Sequence, residues 1–378
     1  TFLLGAAADR QAALALATHY ATTATIQATL QTAARMDPHS DPLLPPTNEH
    51  ELEPCPPPPH ARIAETGTTA SLPDDEPLQF WNGHGGFSAD GREYVIRVVP
   101  DAGGRLRLPP QPWTNVVANP HFGFIASETG AGYTWSQNSR ENRLTPWYND
   151  PVLDPHGEAL YLRDEETGAV WSLQPGPIPQ PVAYEVRHGF GYSRYHHVSQ
   201  DLEQAVCLFV PREEPVKLAL IHLRNPSARP RRLSLFTYAR LVLGVLPTDH
   251  ALELAVIQDP ASGALLAENR NRPFTGRIAF AALTAPNDTP IHVTGDRASF
   301  IGHHGNPARP AALLRDKTLD GRLGEGLDPC FALQAPLCLE PGATLELIFL
   351  LGEADDRDHA RRLIDRYRAN GAAAQALI

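Results

Sequence analysis

The 378 residues are enough for one large domain or two ordinary ones, and 42% hydrophobic with 20% charged content fits a globular chain with a sizeable core. A net charge of −11, with the basic residues scattered, repels phosphate backbones and sets nucleic acid aside as an expected partner. No apolar run is long enough to span a bilayer, so no membrane span is expected within this chain.

The opening "TFLLGAAADRQ" lacks the basic head and long apolar run of a signal peptide, and it lacks an initiating methionine, as in a fragment or trimmed chain. Residues 1–36 read as a helical segment, because "ADRQAALALATHYATTATIQATLQTAARM" repeats apolar positions at helical spacing with Asp9 near its start. Residues 37–77 are dense in proline, which removes amide donors and favours extended, solvated backbone. They are expected to be a mobile linker.

From residue 78 to 352 the texture becomes short β-prone runs separated by Gly, Pro, Asn and Asp. "REYVIRVV", "FGFIAS", "AVCLFV", "VKLALIHLRN", "RRLSLFTYARLVL", "GRIAFAAL" and "TLELIFLLG" all read as strands. "HLRNPSARPRRLSLFTYARLVLG" reads as two adjacent strands joined by a polar turn. With no helical pattern between these runs and no fixed-period repeat, the region predicts a mainly β assembly of two large sheets. Residues 353–378 return to helix, with acids at the start and bases further in.

Four cysteines, Cys55, Cys207, Cys330 and Cys338, are too few and scattered for a disulfide framework, and none forms a CxxC pair. Reduced, cytoplasmic thiols are expected, with no metal and no cofactor. The segment "TWSQNSRENRLTPWYNDP" (134–151) is the most unusual. Aromatic rings stack on the apolar faces of sugar rings, and forked polar groups bind ring hydroxyls. Tyr133, Trp135, Trp147 and Tyr148 can supply platforms, and Asn138, Arg140, Glu141, Asn142, Arg143, Asn149 and Asp150 the forks. Alternatively these residues lock a long ordered loop with the tryptophans beneath it.

Other candidates are weaker. "DEETG" has turn chemistry, and Arg163 with Asp164 is expected to form a loop-stabilising ion pair. In "VRHGFGYSRYHHVSQD", Arg187, Tyr192, Arg194 and Tyr195 again make a sugar-compatible mix. His188 and His196 lie eight apart and are expected to share a strand face, but no nearby carboxylate completes a metal site. "GHGGFSADG" lacks a P-loop lysine and reads as a tight hairpin turn. No spacing singles out a catalytic carboxylate pair, and no GxSxG elbow occurs. Were the chain an enzyme by itself, His188 with Glu128 or Glu141 would be the first acid–base suspects.

Several stretches, among them "LQFWNGHGGFSADGREYVI", "NSRENRLTPW", "RHGFGYSRYHH" and "GLDPCFAL", closely resemble the cyclic β-1,2-glucan synthases. The likeness is to the β-sandwich of their C-terminal part, which is similar to the family 94 glycoside phosphorylases. It covers roughly residues 78–352. The resemblance implies a galactose-mutarotase-like supersandwich, with the general-acid aspartate on an (α/α)₆ barrel outside this sequence and the chain inactive alone. It implies three partners: a β-glucan oligosaccharide, that barrel and a possible homodimer mate. The parent synthases are inner-membrane proteins. One departure is "YARLVLG", where the family has a carboxylate. The substrate-contacting residues expected on this basis are Tyr133, Trp135, Asn138, Arg140, Glu141, Arg143, Trp147, Asn149, Asp150, Arg163, His188 and Tyr192. The rival readings are a purely structural docking scaffold, a degenerate gene fragment, and an active mutarotase-like or phosphorylase enzyme.

Overall fold

Alternating apolar residues between turn formers produce nineteen strands among the described residues. The computed structural model describes residues 77–377 except 250, 286–288, 316 and 370, so the helical segment and nearly all of the linker expected before residue 78 lie outside them. In chain order the first strands are β1 (Gly85–Phe87), β2 (Glu93–Pro100), β3 (Leu106–Arg107), β4 (Thr114–Ala118), β5 (Phe122–Ser127) and β6 (Gly132–Ser136). Then come β7 (Glu158–Asp164), β8 (Val170–Ser172), β9 (Tyr184–Gly189), β10 (Tyr192–Ser199), β11 (Leu202–Phe209) and β12 (Val216–Arg224). The last are β13 (Arg231–Arg240), β14 (Val256–Gln258), β15 (Leu265–Glu268), β16 (Ile278–Thr284), β17 (His292–Asp296), β18 (Pro329–Leu339) and β19 (Thr344–Ala354). Helix α1 (Arg297–Ile301) follows β17, while α2 (Arg357–Arg368) and α3 (Ala372–Leu377) follow β19.

Every ladder is antiparallel. The large sheet runs β1-β2-β9-β10-β11-β12-β19-β16-β15-β14 with β3 beside β2, and a five-stranded sheet runs β17-β18-β13-β7-β8. A three-stranded sheet, β4-β5-β6, completes the second layer. One apolar core joins the layers. Phe122, Phe124, Leu160, Leu162, Leu233 and Leu235 meet Val186, Tyr195, Val206, Ile221, Leu347 and Phe349 of the large sheet there. Trp171 crosses the core and donates from Nε1 to Gln204 Oε1 at 2.7 Å, so its one polar atom is satisfied inside. This is a mainly β supersandwich.

The expected pair of adjacent strands around Asn225 is corrected by this topology. β12 belongs to the large sheet and β13 to the five-stranded one, so the polar turn is a corner between layers. Asn225, fully buried, holds that corner by donating to the carbonyls of Arg229 and Leu339 at 2.8 and 3.0 Å. The glycine-rich "GHGGFSADG" does close a hairpin between β1 and β2, with Ser88 N donating to Glu93 O.

The outer face of the large sheet is half covered. Helix α2 starts at Asp356, whose side chain accepts from His359 N, carries Asp358 in its first turn and ends in Arg366 and Arg368. Those charges match the helix dipole. Its Ala360, Leu363, Ile364 and Tyr367, spaced on one helical face, pack on Phe209, Leu218, Phe280, Ile348 and Leu350. Under the helix, strands such as β19 are apolar on both faces and lose the alternation of a half-solvated strand. Away from it the outward positions are polar, and the face is open.

Candidate functional site

The hairpin β5–β6 delivers Tyr133 and Trp135 to the edge of the three-stranded sheet. The chain then turns sharply, because Asn138 Oδ1 accepts from the amides of Arg140 and Glu141, each at 2.9 Å. Asn142 leaves the surface entirely. Its Nδ2 donates to Glu353 Oε2 at 2.8 Å and its Oδ1 accepts from Asn269 Nδ2 at 2.6 Å. Glu353, also fully buried, accepts further from Asn269 at 2.7 Å and from Arg277 Nε at 2.9 Å. A buried carboxylate with this many donors is compensated, and it pins the loop to β19.

The rings assemble around Tyr133. Its centroid lies 5.2 Å from Trp135 and 5.0 Å from Trp147, with interplanar tilts of 38° and 34°. The Arg143 guanidinium stands 5.6 Å from the same ring. Tyr133 itself is buried and donates to Ser139 O at 3.2 Å, whereas both tryptophans are half-buried. Arg140 and Glu141 pair with each other at 3.3 Å on the exposed side. Tyr148 accepts from Arg240 at 3.3 Å, Asn149 adopts a left-handed backbone with φ 49°, and Asp150 Oδ1 caps the amides of Val152 and Leu153.

Three expected site residues lie elsewhere. Arg163 is buried on β7, paired with Glu165 and donating to Arg315 O. The expected Arg163–Asp164 pair does not form, because neighbours on a strand point to opposite faces. Asp164 instead pairs with the buried Arg231 at 2.7 Å. Tyr192 donates to Glu93 at 2.5 Å. His188 lies at 3.0 Å from Ser193 Oγ and 3.1 Å from Trp113 O. The Trp113 amide donates to Glu128 Oε2 at 2.7 Å, so the suspected pair of His188 and Glu128 holds the Trp113 backbone at both its amide and its carbonyl. Burial lowers the His188 pKa to about 4 and raises that of Glu128 to about 7.

Comparison with known proteins fits this architecture. The family model for the glycosyl hydrolase 94 supersandwich domain matches residues 92–370. The chain belongs to this family.

Among relatives, the chain is 38% identical over 323 residues to a cyclic beta-(1,2)-glucan synthase, NdvB, of Rhizobium meliloti (strain 1021). That match covers 84% of this chain and 11% of the synthase. An N,N'-diacetylchitobiose phosphorylase of Vibrio furnissii is 29% identical, over 71% of this chain and 33% of the phosphorylase. The chain thus spans a minor part of both relatives. A galactose mutarotase related enzyme of Lactobacillus acidophilus superposes at TM-score 0.33 and 12% identity, covering 65% of this chain and 99% of that one.

The supersandwich has a second concavity, of whose lining sequence reading marks Arg187, Arg194 and His196, within a sugar-compatible stretch. It is a cavity of about 510 Å³ on the open half of the large sheet, floored by Glu185, His196, Ala205 and His222. His188 and His196 do not share a face, contrary to expectation. The β9–β10 hairpin lies between them, and His188 pairs across it with inward-facing Ser193 while His196 pairs with outward-facing Glu185. Among the described residues no group of three or more His, Cys, Asp or Glu is placed to hold a metal ion. No helix among them is long and apolar enough to cross a membrane.

Proposed function

We propose that this supersandwich is the non-catalytic, carbohydrate-associated domain of a cyclic β-1,2-glucan synthase-like protein. On this reading its 133–154 loop meets a β-glucan and packs against a catalytic barrel. The observation that carries it is the cluster of tilted rings Trp135–Tyr133–Trp147, with Arg143 over the central ring and both indoles half-buried at the surface. Rings held by packing offer a sugar their accessible edges at little entropic cost on binding, and the exposed Arg140, Glu141 and Asn149 supply polar groups in the same loop.

The docking half of the proposal draws on a different observation. Val152 and Leu153 of that loop are 86% and 75% exposed, and Leu246 and Leu252 of a neighbouring loop are 54% and 75% exposed. Exposed apolar side chains on two loops that Arg143 ties together, through Gly244 and Val245 O, fit a protein partner.

The test is a titration of the chain with β-1,2-gluco-oligosaccharides, followed by tryptophan fluorescence and calorimetry. A shallow surface predicts a Kd on the order of 1 mM, lost in Trp135→Ala and Trp147→Ala. No response in the unsubstituted chain, or an unaltered response in both variants, refutes contact between this loop and glucan and leaves docking as the role of the loop.

A further inference from the structure

The open half of the large sheet carries a row that only the strand register reveals. Glu185 of β9 faces His196 of β10, His196 faces Ala205 of β11, Ala205 faces His222 of β12, and His222 faces Glu346 of β19. Glu–His–Ala–His–Glu therefore crosses five neighbouring strands in one line. Strands lie about 4.8 Å apart, so the two histidines stand roughly 10 Å from each other with only a methyl between them. That alanine gives the row its depth, and Leu377 of α3 helps to wall the cavity.

The floor has unmet polar atoms. Glu185 is 6% exposed, and while its Oε1 accepts from Arg187 Nε at 2.6 Å, its Oε2 has no hydrogen-bond partner. Both ring nitrogens of His196 are likewise buried without one, since Nε2 stands 3.6 Å from Glu203 Oε1, beyond hydrogen-bond reach. These atoms are buried beneath the cavity floor, so a ligand's hydroxyls meet them once the imidazole or the carboxyl rotates toward the cavity. Cys207 and Leu220 in the next row give the cavity an apolar strip, suited to the C–H face of a sugar ring.

Charge narrows the ligand class. Three carboxylates line the cavity (Glu185, Glu203, Glu346) against two guanidiniums (Arg187, Arg194), and Arg187 is already held between Glu93 and Glu185. A phosphate would enter a net-negative site with one committed arginine, whereas a neutral polyol meets donors and acceptors of both kinds. A volume of about 510 Å³ suits one or two sugar rings.

We infer that this sheet face is a second binding site, separate from the aromatic loop, for a neutral hydroxyl-rich ligand of mono- or disaccharide size. It shares none of its lining with the loop and stands whether or not the loop binds glucan.

The experiment is an NMR titration of histidine-labelled full chain with glucose, with the disaccharide sophorose and with glucose 1-phosphate. The His196 and His222 ring signals are assigned by substitution. Either neutral sugar is expected to shift both signals saturably with a Kd on the order of 1–10 mM, with glucose 1-phosphate binding no tighter. Ala205→Phe, which fills the cavity without removing a polar group, should weaken binding at least about tenfold, and Glu346→Ala, at an exposed position, about threefold. The doubly substituted Trp135→Ala/Trp147→Ala chain should bind at this face as before. No saturable shift, loss of the shift in the loop variant, full binding by folded Ala205→Phe and Glu346→Ala chains, or tighter binding of the phosphate each overturns the assignment.

Discussion

Glu128 provides a test of the interior that depends on sign as well as size. Its carboxyl is 2% exposed at the β5–β6 turn and accepts one amide hydrogen bond, from Trp113 at 2.7 Å. Burial is the main cause of its raised pKa, about 7 against an ordinary 4.5, and the nearby Asp154 adds to it. Between pH 4.5 and 7 the folded chain therefore holds a proton that the unfolded chain has released. Stability must fall as pH rises through that window and level off above it. A shift of this size corresponds to about 3 kcal/mol.

Buried histidines act in the opposite direction. Burial lowers His156, takes His188 to about 4 and takes His197 to about 3, from 6.5, so each costs stability as pH falls below 6.5. The raw pH profile thus mixes two slopes. Glu128→Gln separates them, because the amide oxygen still accepts from Trp113 and the histidines are unchanged. Urea unfolding of both chains from pH 5 to 8 should show the variant gaining on the parent by about 2.5 kcal/mol across the range. A difference that stays flat, or that shrinks as pH rises, refutes a neutral buried carboxyl at this position.

Three further substitutions probe the buried charges. Asn142→Ala strips one donor from Glu353 and an acceptor from Asn269, and should cost about 2–4 kcal/mol in urea unfolding at neutral pH. A cost below about 1 kcal/mol would show that the loop is not held there. Lys217 pairs with Glu158 at 2.8 Å between the layers, and burial of Glu158 is outweighed by Lys217 and the hydroxyls of Thr145 and Thr134, so its pKa stays low. Lys217→Met should cost about 3–5 kcal/mol, and adding Glu158→Gln should recover part of it, as judged by the same unfolding measurement. An additive double variant would argue against the pairing.

Seven strands, β2, β5, β11, β12, β13, β16 and β19, were legible as apolar runs, whereas the more polar β4 and β10 were not read as strands. The run "REYVIRVV" falls on β2 and "VKLALIHLRN" on β12, because alternation and flanking turn residues are local signals. Pairings that depend on register were not. Arg163 took Glu165 in place of Asp164, and His196 turned away from His188, both decided by which face of a pleat a residue occupies. The composition of the 134–151 segment marked it out, yet its buried anchor Asn142 meets a carboxylate 211 residues further on, which no local pattern announces. The sheet-face row needed five strands in order, so its members read as scattered polar positions.

Glu353 has a position as well as a charge. It is the penultimate residue of β19, and Arg277 clamps it together with Asp355 (2.9 and 2.5 Å), one residue before the Asp356 that starts α2. The same carboxylate receives Asn142 from the aromatic segment. The ring-bearing turn and the root of the terminal helix are thereby riveted to a single joint. Tilting either one requires tearing donors off a fully desolvated acid, and a push applied at the rings is delivered to the helix as force on its first turn.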